Sequence, residues 1–364
     1  MNPALKNLLE RRLVICAGPG GVGKTTVSAA LALAGARLGR AVDVMTIDPA
    51  PRLLDALGLD TDDPDLQEVP LGAYAQGPRS RLRALRLDPK HTFDRLVRRY
   101  APSPSARDAI LENRIYQNVS AAMAGVADYM AIERLLEMHQ DDSSDLIVLD
   151  TPPAREALDF LDSPRRLLDL LNSRAVGLLS ASSSLMRGGA PIVDMAARAV
   201  LAAFDRVTGL HLLRDVRKFV QSFDGMYSGF AARAERARCL LQSAEAVAVI
   251  VTTAELAPVE QVQSFAIDLN KAGVHIGAVV VNRTFGAMPR AAALARTKVS
   301  PGLKRKLARN LRDFRAWSDR EALALKALEA VLPAGAILLA APELATQPRA
   351  LKDLAEIGER VAEI

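Results

Sequence analysis

Residues 18–26 read Gly-Pro-Gly-Gly-Val-Gly-Lys-Thr-Thr and match the pattern G-x-x-x-x-G-K-[ST] in full. In this pattern, glycines allow backbone N–H groups to turn inward around phosphate oxygens. The preceding apolar run Leu13–Ala17 predicts a buried strand, and the following Val27–Ala36 predicts an Ala-rich helix. A helix that begins directly after the loop contributes a dipole that favours an anion. The stretch therefore predicts a nucleotide-phosphate loop between a strand and a helix.

Individual residues of this loop have predicted roles. Lys24 would reach the β- and γ-phosphates, and the Thr25 hydroxyl would bind Mg²⁺. Thr26 would contact the α-phosphate. The residues whose backbone we expect around the phosphates are Gly20, Gly21, Val22 and Gly23.

Further apolar runs predict the rest of the sheet. They lie at Val42–Ile47, Leu146–Leu149, Val247–Val251 and Ile276–Val281, with a weaker run at Ala336–Ala340 and another candidate at Arg83–Leu87. Unbroken apolar runs that alternate with helical segments predict an α/β fold with a doubly wound, mostly parallel sheet. Residues of about 91–140 and 156–242 instead have helical periodicity with few strand signals. We expect one P-loop domain over residues 1–364, in which these two segments form a helical subdomain.

Two aspartates follow predicted strands and would lie at the carboxyl edge of the sheet. Asp150 ends the run Leu146–Leu149, where a carboxylate can hold the water shell of Mg²⁺. Asp48 ends Val42–Ile47 and could orient or activate the attacking water. Asp55 is the second candidate for that role. For all three, a helix cap or a turn is the structural alternative.

Four segments carry a resemblance to a known family. Residues 48–57, Asp-Pro-Ala-Pro-Arg-Leu-Leu-Asp-Ala-Leu, and residues 150–158, Asp-Thr-Pro-Pro-Ala-Arg-Glu-Ala-Leu, are similar to its switch I and switch II. Residues 279–283 resemble a late strand whose Asn contacts adenine, and residues 341–343 resemble the closing nucleotide loop. Together with the phosphate loop, they resemble the arsenical-pump and tail-anchored-protein-targeting ATPases, a deviant-Walker group. Residues 113–120 and 125–133 resemble its bacterial branch.

The resemblance implies an ATP-driven homodimeric switch that requires Mg²⁺. It implies that Asp48 activates water and that Thr25, Asp48 and Asp150 bind the metal. It also implies that Asn282, Arg283 and Pro342 contact the nucleotide. In the targeting branch, helices beside the switches form a hydrophobic groove for client membrane segments. The residues here that would supply either such a groove or an ordinary core are Leu167, Leu168, Leu170, Leu171, Val176, Leu178, Leu179, Leu185, Met186, Met226, Tyr227 and Phe230.

The sequence departs from the family pattern in three ways. The signature Lys of the loop, which acts across the dimer, is replaced by Pro19, and Arg52 or Arg155 could supply the missing charge. In the eukaryotic targeting factors, a C-x-x-C pair binds zinc at the dimer interface. This sequence contains no such pair, so we expect no zinc site there. Cys16 and Cys239 are the only cysteines and lie in different predicted elements, so we expect neither an arsenite site nor an iron–sulfur cluster.

Composition limits the remaining classes. Half of the 364 residues are hydrophobic and 24% are charged, which excludes wholesale disorder. A net charge of +5 and the absence of interleaved aromatic residues give no reason to expect nucleic-acid binding. No signal peptide or membrane-spanning run is recognisable, and we expect a cytoplasmic protein. Basic residues cluster at 79–86 and 304–312, which we interpret as solvated helix faces, with an acidic partner or a membrane surface as the alternative.

Two other functions remain open. The first is a spatial regulator of the MinD or partition type, acting on a membrane or DNA, although the terminal segment 350–364 is acidic and lacks aromatic anchors. The second is a non-hydrolysing nucleotide-binding partner in a hetero-oligomer, which the missing signature Lys suggests.

Overall fold

The computed structural model describes residues 2–113, 116–117, 124–171, 226–285, 298–344, 348 and 350–363. The chain divides into two compact units. The first unit comprises residues 1–87, 141–158 and 241–364, and the second comprises residues 88–140 and 159–240.

The described strands form one nine-stranded sheet in the first unit. They are β1 Leu13–Ala17, β2 Ala41–Thr46, β3 Gln67–Glu68, β4 Arg81–Arg86, β5 Leu146–Asp150, β6 Ala246–Thr253, β7 Ile276–Thr284, β8 Ile337–Pro342 and β9 Ala362–Glu363. Their order across the sheet is β3-β4-β2-β5-β1-β6-β7-β8-β9. Neighbours are parallel except at the edges, where β3 with β4 and β8 with β9 are antiparallel. The predicted α/β fold with a mostly parallel sheet is therefore confirmed.

Helices lie between the strands along the chain. In the described residues they are α1 Pro3–Leu9, α2 Lys24–Arg37, α3 Arg52–Leu57, α4 Pro89–Tyr100, α5 Pro104–Leu111, α6 Ala124–Gln140, α7 Ala154–Leu171, α8 Tyr227–Leu241, α9 Leu256–Lys271, α10 Pro301–Val331 and α11 Leu351–Arg360. A short 3-10 helix covers Gly72–Tyr74. None of these helices combines the length and the apolar composition needed to cross a bilayer.

The apolar runs identified the strands because the central strands are covered on both faces. Every residue of β1, β2 and β5 is buried. Strand β1 has the predicted bounds, and the ends of the other predicted strands differ from the structure by at most three residues. Hydrogen bonding between neighbouring strands sets these ends, which hydropathy alone does not define.

The basic cluster at 79–86 is not the solvated helix face that the sequence analysis predicts. Arg81, Arg83 and Arg86 lie in β4. Arg81 and Arg83 alternate with the buried Leu82 and Ala84 at the period of two expected of a strand, whereas the buried Leu85 interrupts this alternation before Arg86. Arg83 Nε and Nη2 each donate to a carboxylate oxygen of the fully buried Asp43 at 2.8 Å. The second cluster lies on α10, where Arg305, Lys306, Arg309 and Arg312 are exposed.

The C-terminal helix α11 packs on α2 rather than presenting a free amphipathic face. Its residues Leu354 and Ile357 are buried in the same core as the Ala-rich α2. Gly358 faces α2, since a Cβ placed there would be in van der Waals contact with Ala30 O at 3.4 Å. The ion pair between Arg37 and Glu359, at 2.6 Å, joins the two helices at their surface.

The second unit has its own apolar core, built from α4, α5, α6 and α8. The aromatic rings of Phe93 and Tyr116 meet edge to face at 5.0 Å, and those of Tyr129 and Phe230 are 5.9 Å apart. Two residues of the predicted client groove belong to this core, since Met226 and Phe230 are buried in it, and Leu168 packs against it. Their side chains are therefore used in folding. Residues 176–186 of the same prediction lie outside the described residues.

Candidate nucleotide-binding site

The glycine-rich loop lies at the carboxyl end of β1, between β5 and β6, and leads directly into α2. Gly18 has φ +149°, and a Cβ at this position would lie 2.1 Å from Val251 O of β6. Gly23 has φ +90° and immediately precedes α2. A Cβ on Gly23 would lie 2.3 Å from Asn282 Nδ2. At these two positions the loop requires glycine, for backbone conformation and for space.

We expect Gly18→Ala to destabilise the protein by about 2–3 kcal/mol, because the new methyl group meets a backbone oxygen and the backbone conformation is strained. The measurement is the urea midpoint of the purified variant. Gly302→Ala is the matched control, since Gly302 is exposed in the first turn of α10. Equal midpoints for the two variants would contradict the close approach at Gly18.

Lys24 is held inside the loop by main-chain oxygens. Its Nζ donates to Gly18 O at 3.1 Å and to Pro19 O at 2.9 Å, and the residue is only 8% exposed. Burial lowers the pKa of Lys24, and the nearby carboxylates of Asp150 and Asp48 oppose that shift. The loop therefore wraps around a buried amine next to two acids, which is the arrangement expected of a phosphate-binding lysine.

Asp150 is the centre of a hydroxyl cluster at the end of β5. Its Oδ2 accepts hydrogen bonds from Thr25 Oγ1 and Thr46 Oγ1, both at 2.8 Å. Its Oδ1 lies 3.3 Å from Ser28 Oγ, which also donates to Lys24 O at 2.9 Å. Burial raises the pKa of the fully buried Asp150, and the hydrogen bonds from Thr25 and Thr46 oppose the shift. These contacts are with side chains of the loop, β2 and α2, which is not how a helix cap would use its carboxylate.

Asp48 lies just beyond β2 and is connected to the same cluster. Its backbone N–H donates to Thr46 Oγ1 at 3.2 Å. Its Oδ1 accepts from Ala50 N at 2.9 Å, and its Oδ2 pairs with Arg52 Nη1 at 3.2 Å. Asp48 therefore also acts as a turn residue, the structural alternative that the sequence suggested for it. The side chain also remains 29% exposed, so solvent reaches it. Asp55, the second candidate, is exposed on α3.

The predicted residues of the later strands lie at the same edge of the sheet. Asn282 is buried in β7, and its Nδ2 donates to Val22 O at 2.8 Å, which connects β7 to the loop. Arg283 follows with φ +60°, an unusual conformation for a residue with a side chain, at an irregularity between β7 and β8. Pro342 ends β8 opposite Thr284. Of these three residues, Asn282 is the one that the structure brings into hydrogen-bond contact with the loop.

Sequence reasoning did not identify Thr46 and Ser28, which complete the cluster around Asp150. Ser28 lies one helical turn after Lys24, so its position in α2 could have been inferred from helix periodicity. Thr46 is the last residue of β2, two positions before Asp48. Its contact with Asp150 depends on the pairing of β2 with β5. No signal within the sequence of β2 indicates that pairing.

The residues present fit a magnesium-bound nucleoside triphosphate. Hydroxyl and carboxylate oxygens are ligands that Mg²⁺ prefers. Here Thr25 Oγ1 and Asp150 Oδ2 lie 2.8 Å apart. The loop adds a buried amine and the N-terminus of a 14-residue helix, both suited to phosphate oxygens. A metal site built on thiolate ligands, such as a zinc site, has less support. Burial raises the pKa of the Cys16 thiol to about 12, which disfavours the thiolate form that binds metals. Among the described residues, no group of three His, Cys, Asp or Glu side chains is arranged to hold a metal.

A glycine-rich loop between β1 and α2, with Lys24, Thr25 and Asp150 at the carboxyl edge of a parallel sheet, defines a P-loop nucleotide-binding protein. Within that class the chain belongs to the anion-transporting ATPase family, whose model matches residues 11–300. The predicted family is therefore confirmed.

Relatives with similar sequences carry the name ATPase GET3. The protein from Malassezia globosa is 27% identical over 197 residues, covering 52% of this chain and 56% of that relative. Those from Aspergillus terreus and Blastomyces gilchristii are 29% identical over 188 residues and 30% identical over 190 residues; each match covers 50% of this chain, with 52% and 51% of the respective relatives. The chain thus spans about half the length of the curated relatives it matches.

Proposed function

We propose that this chain binds ATP with Mg²⁺ and hydrolyses it as a homodimeric switch in the cytoplasm. The observation that carries the proposal is the 2.8 Å contact between Thr25 Oγ1 and Asp150 Oδ2. It joins the first turn of the phosphate-loop helix to the end of a neighbouring strand. A hydroxyl and a carboxylate held in this way suit a hydrated Mg²⁺. Membership in a family of ATPases supports the same conclusion.

Each residue of the site would have its own role in nucleotide binding or hydrolysis. Lys24 would exchange its contacts with Gly18 O and Pro19 O for phosphate oxygens, and the backbone N–H groups of the loop would donate to the same phosphates. Thr25 and Asp150 would hold Mg²⁺, which when bound neutralises charge on the phosphates. Asp48 would orient the attacking water and accept its proton, because its backbone N–H contacts Thr46 of the cluster and its carboxylate is partly exposed.

Asn282 is our candidate for reading the adenine base. Its Nδ2 is already committed to Val22 O at 2.8 Å, which leaves Oδ1 as an acceptor for a ligand donor. The same hydrogen bond ties Asn282 to the phosphate loop. A base contact at β7 would therefore be coupled directly to the loop that binds the phosphates.

The switch would operate through the segments that carry Asp48 and Asp150. Residues 48–57 run from the sheet edge into α3, and residues 150–158 run into α7. Loss of the γ-phosphate would release these segments and reopen two protomers.

Because Pro19 replaces the signature Lys, a charge acting between protomers would come from Arg52 or Arg155. Arg52 pairs with Asp48 at 3.2 Å and is exposed, so the ion pair is weak enough to exchange. Turnover that is unchanged in both Arg52→Ala and Arg155→Ala would rule these residues out.

The experiment that tests the function is ATP turnover by the purified chain alone. We expect phosphate release in MgCl₂ and none when EDTA removes the metal, since Thr25 and Asp150 would then bind no cation. A coupled assay for ADP gives the rate. Tight ATP binding without any turnover would contradict the proposal and favour the non-hydrolysing partner. A membrane- or DNA-acting regulator has less support, because the apolar face of α11 is covered by α2.

A client role remains part of the proposal in a narrower form. The buried positions of Met226 and Phe230 mean that the described part of the second unit uses these apolar side chains in its core. A client surface would therefore have to come from other residues of the helical unit. ATP-dependent capture of an apolar helical peptide by the Asp48→Asn variant tests this role.

A further inference from the structure

Thr46 lies between the two aspartates of the candidate nucleotide site. It is the last residue of β2 and is only 1% exposed. Its Oγ1 donates to Asp150 Oδ2 at 2.8 Å and accepts the backbone N–H of Asp48 at 3.2 Å. One buried side chain therefore contacts both the carboxylate proposed to hold Mg²⁺ and the residue proposed to accept a proton from water.

The chemistry of the groups fixes the directions of these two hydrogen bonds. A hydroxyl has one proton to donate and lone pairs with which to accept. A backbone N–H can only donate, so the Thr46 hydroxyl accepts from Asp48 and keeps its proton for Asp150. A continuous chain of hydrogen bonds thus runs from Asp48 N–H through Thr46 Oγ1 to Asp150 Oδ2. The same carboxylate oxygen accepts from Thr25 Oγ1 of the phosphate-loop helix at 2.8 Å.

Main-chain hydrogen bonds hold the end of β2 in the sheet without the help of this hydroxyl. Thr46 is in register with Asp150 of β5, and Ile47 N donates to Asp150 O at 3.0 Å. On the other side of β2, Leu87 N donates to Thr46 O at 2.9 Å. Valine has the shape of threonine, suits a strand equally well and buries no polar group. The hydroxyl therefore serves the site rather than the strand.

The contact with Thr46 ties the turn at Asp48 to the rest of the site. The carboxylate of Asp48 accepts from Ala50 N and pairs with Arg52, and both of these partners belong to the same segment 48–57. Arg52 is 72% exposed, so its ion pair contributes little to holding the turn. The backbone N–H of Asp48 instead reaches a buried side chain that also contacts Asp150.

We propose that Thr46 is a positioning residue that couples the orientation of the Asp150 carboxylate to the placement of Asp48, and so transmits occupation of the nucleotide site to the segment 48–57. The inference rests on the proposed function, because it assigns the route between two residues of that site. Thr46 does not touch the reacting atoms. It acts through Asp48, since a shift of Asp150 Oδ2 moves the hydroxyl that holds the start of the segment.

Hydrogen–deuterium exchange of the full chain tests this coupling without measuring turnover. With Mg²⁺ and a non-hydrolysable ATP analogue, the amides of residues 48–57 in the wild type should exchange at least about fivefold more slowly than in the free protein. In Thr46→Val this protection should be lost. The phosphate loop, residues 18–26, should stay protected in the variant, because Lys24 and the loop amides do not depend on Thr46. Absence of protection of 48–57 in the wild type, or its survival in Thr46→Val, overturns the proposal.

Kinetics and binding give a second readout, which a purely structural role would not produce. Thr46→Val should lower kcat for ATP about tenfold or more, because the rate falls steeply when a catalytic group is displaced. The Kd for ATP measured in EDTA should change less than about twofold, since the loop binds the phosphates. Thr46→Ser keeps the hydroxyl and should restore both the turnover and the protection of 48–57. A Thr46→Ser variant as impaired as Thr46→Val contradicts the proposal, because the hydroxyl would then not be the group that matters.

Thr92→Val is the matched control. Thr92 is also buried, and its hydroxyl donates to Asp88 O at 2.9 Å in the second unit, away from the nucleotide site. This variant should keep both the exchange pattern and the turnover of the wild type. Equal losses in Thr92→Val and Thr46→Val would refute a specific role for Thr46.

The two readouts separate this inference from the proposed function. A wild type that hydrolyses ATP, with normal turnover and protection in Thr46→Val, refutes the coupling and leaves the function intact. A wild type that shows the expected protection, lost in Thr46→Val, but no turnover refutes hydrolysis and supports the coupling. If Thr46→Val does not fold, Thr46→Ser decides by the same measurements, since a loss of protection in a variant that keeps the hydroxyl overturns the proposal.

Discussion

Lys24→Ala is expected to abolish tight nucleotide binding. The ammonium group is buried and pre-placed against Gly18 O and Pro19 O, so no other side chain of the loop can replace its charge. Hydrogen bonds to charged groups contribute about 1.5–3 kcal/mol each, and Lys24 would make more than one to the β- and γ-phosphates. We therefore expect the Kd for Mg²⁺-ATP, measured by calorimetry, to rise about 100-fold or more.

Lys271→Ala is the matched control for this variant. Lys271 belongs to the same unit and its substitution removes the same charge, but it is 72% exposed and pairs with Asp268 near the end of α9. Its affinity for ATP should equal that of the wild type. Binding by Lys24→Ala within threefold of the wild type, with an unchanged circular dichroism spectrum, would mean that the loop does not hold the phosphates through this residue.

The sequence predicts the sheet well because its central strands obey a simple physical rule. A parallel strand covered on both faces needs an unbroken apolar run, and β1 and β5 consist of such runs that end beside the loop and at Asp150. The rule is less clear for β4, because the candidate Arg83–Leu87 covers only part of this strand and its arginines resemble a charged surface. The buried Asp43 that pairs with Arg83 lies on a different strand, and only strand pairing brings the two together.

Some residues of the candidate site belong to one local motif, whereas others are brought to it by strand pairing. Gly18–Thr26 is a local motif, so its position at the start of α2 follows from the sequence alone. The contacts of Thr46 and Asn282 with this region come from β2 and β7, which lie on opposite sides of β1 in the sheet. Tertiary packing creates these groupings, and periodicity in one segment does not encode them.

Asp48→Asn is expected to keep ATP binding and to stop hydrolysis. The amide retains the size of the side chain and can still accept a hydrogen bond from Ala50 N, so the turn after β2 is preserved. It cannot accept a proton from water at neutral pH. General-base catalysis contributes about 10²–10⁴-fold, so turnover should fall at least about 100-fold, while the Kd for ATP stays within threefold.

Asp55→Asn is the matched control, because Asp55 lies in the same segment but is exposed on α3, so this variant should keep its turnover.

The Asp48→Asn variant would also accumulate the ATP-bound state. We expect light scattering to give twice the monomer mass in ATP and the monomer mass in ADP. The same state should capture an apolar helical peptide if the helical unit binds clients. Normal turnover in Asp48→Asn would remove Asp48 from the catalytic step, because no proton acceptor would remain at that position. A monomer in ATP would remove the homodimer from the proposal while leaving the nucleotide site intact, since the contacts of Lys24, Thr25 and Asp150 all lie within one chain.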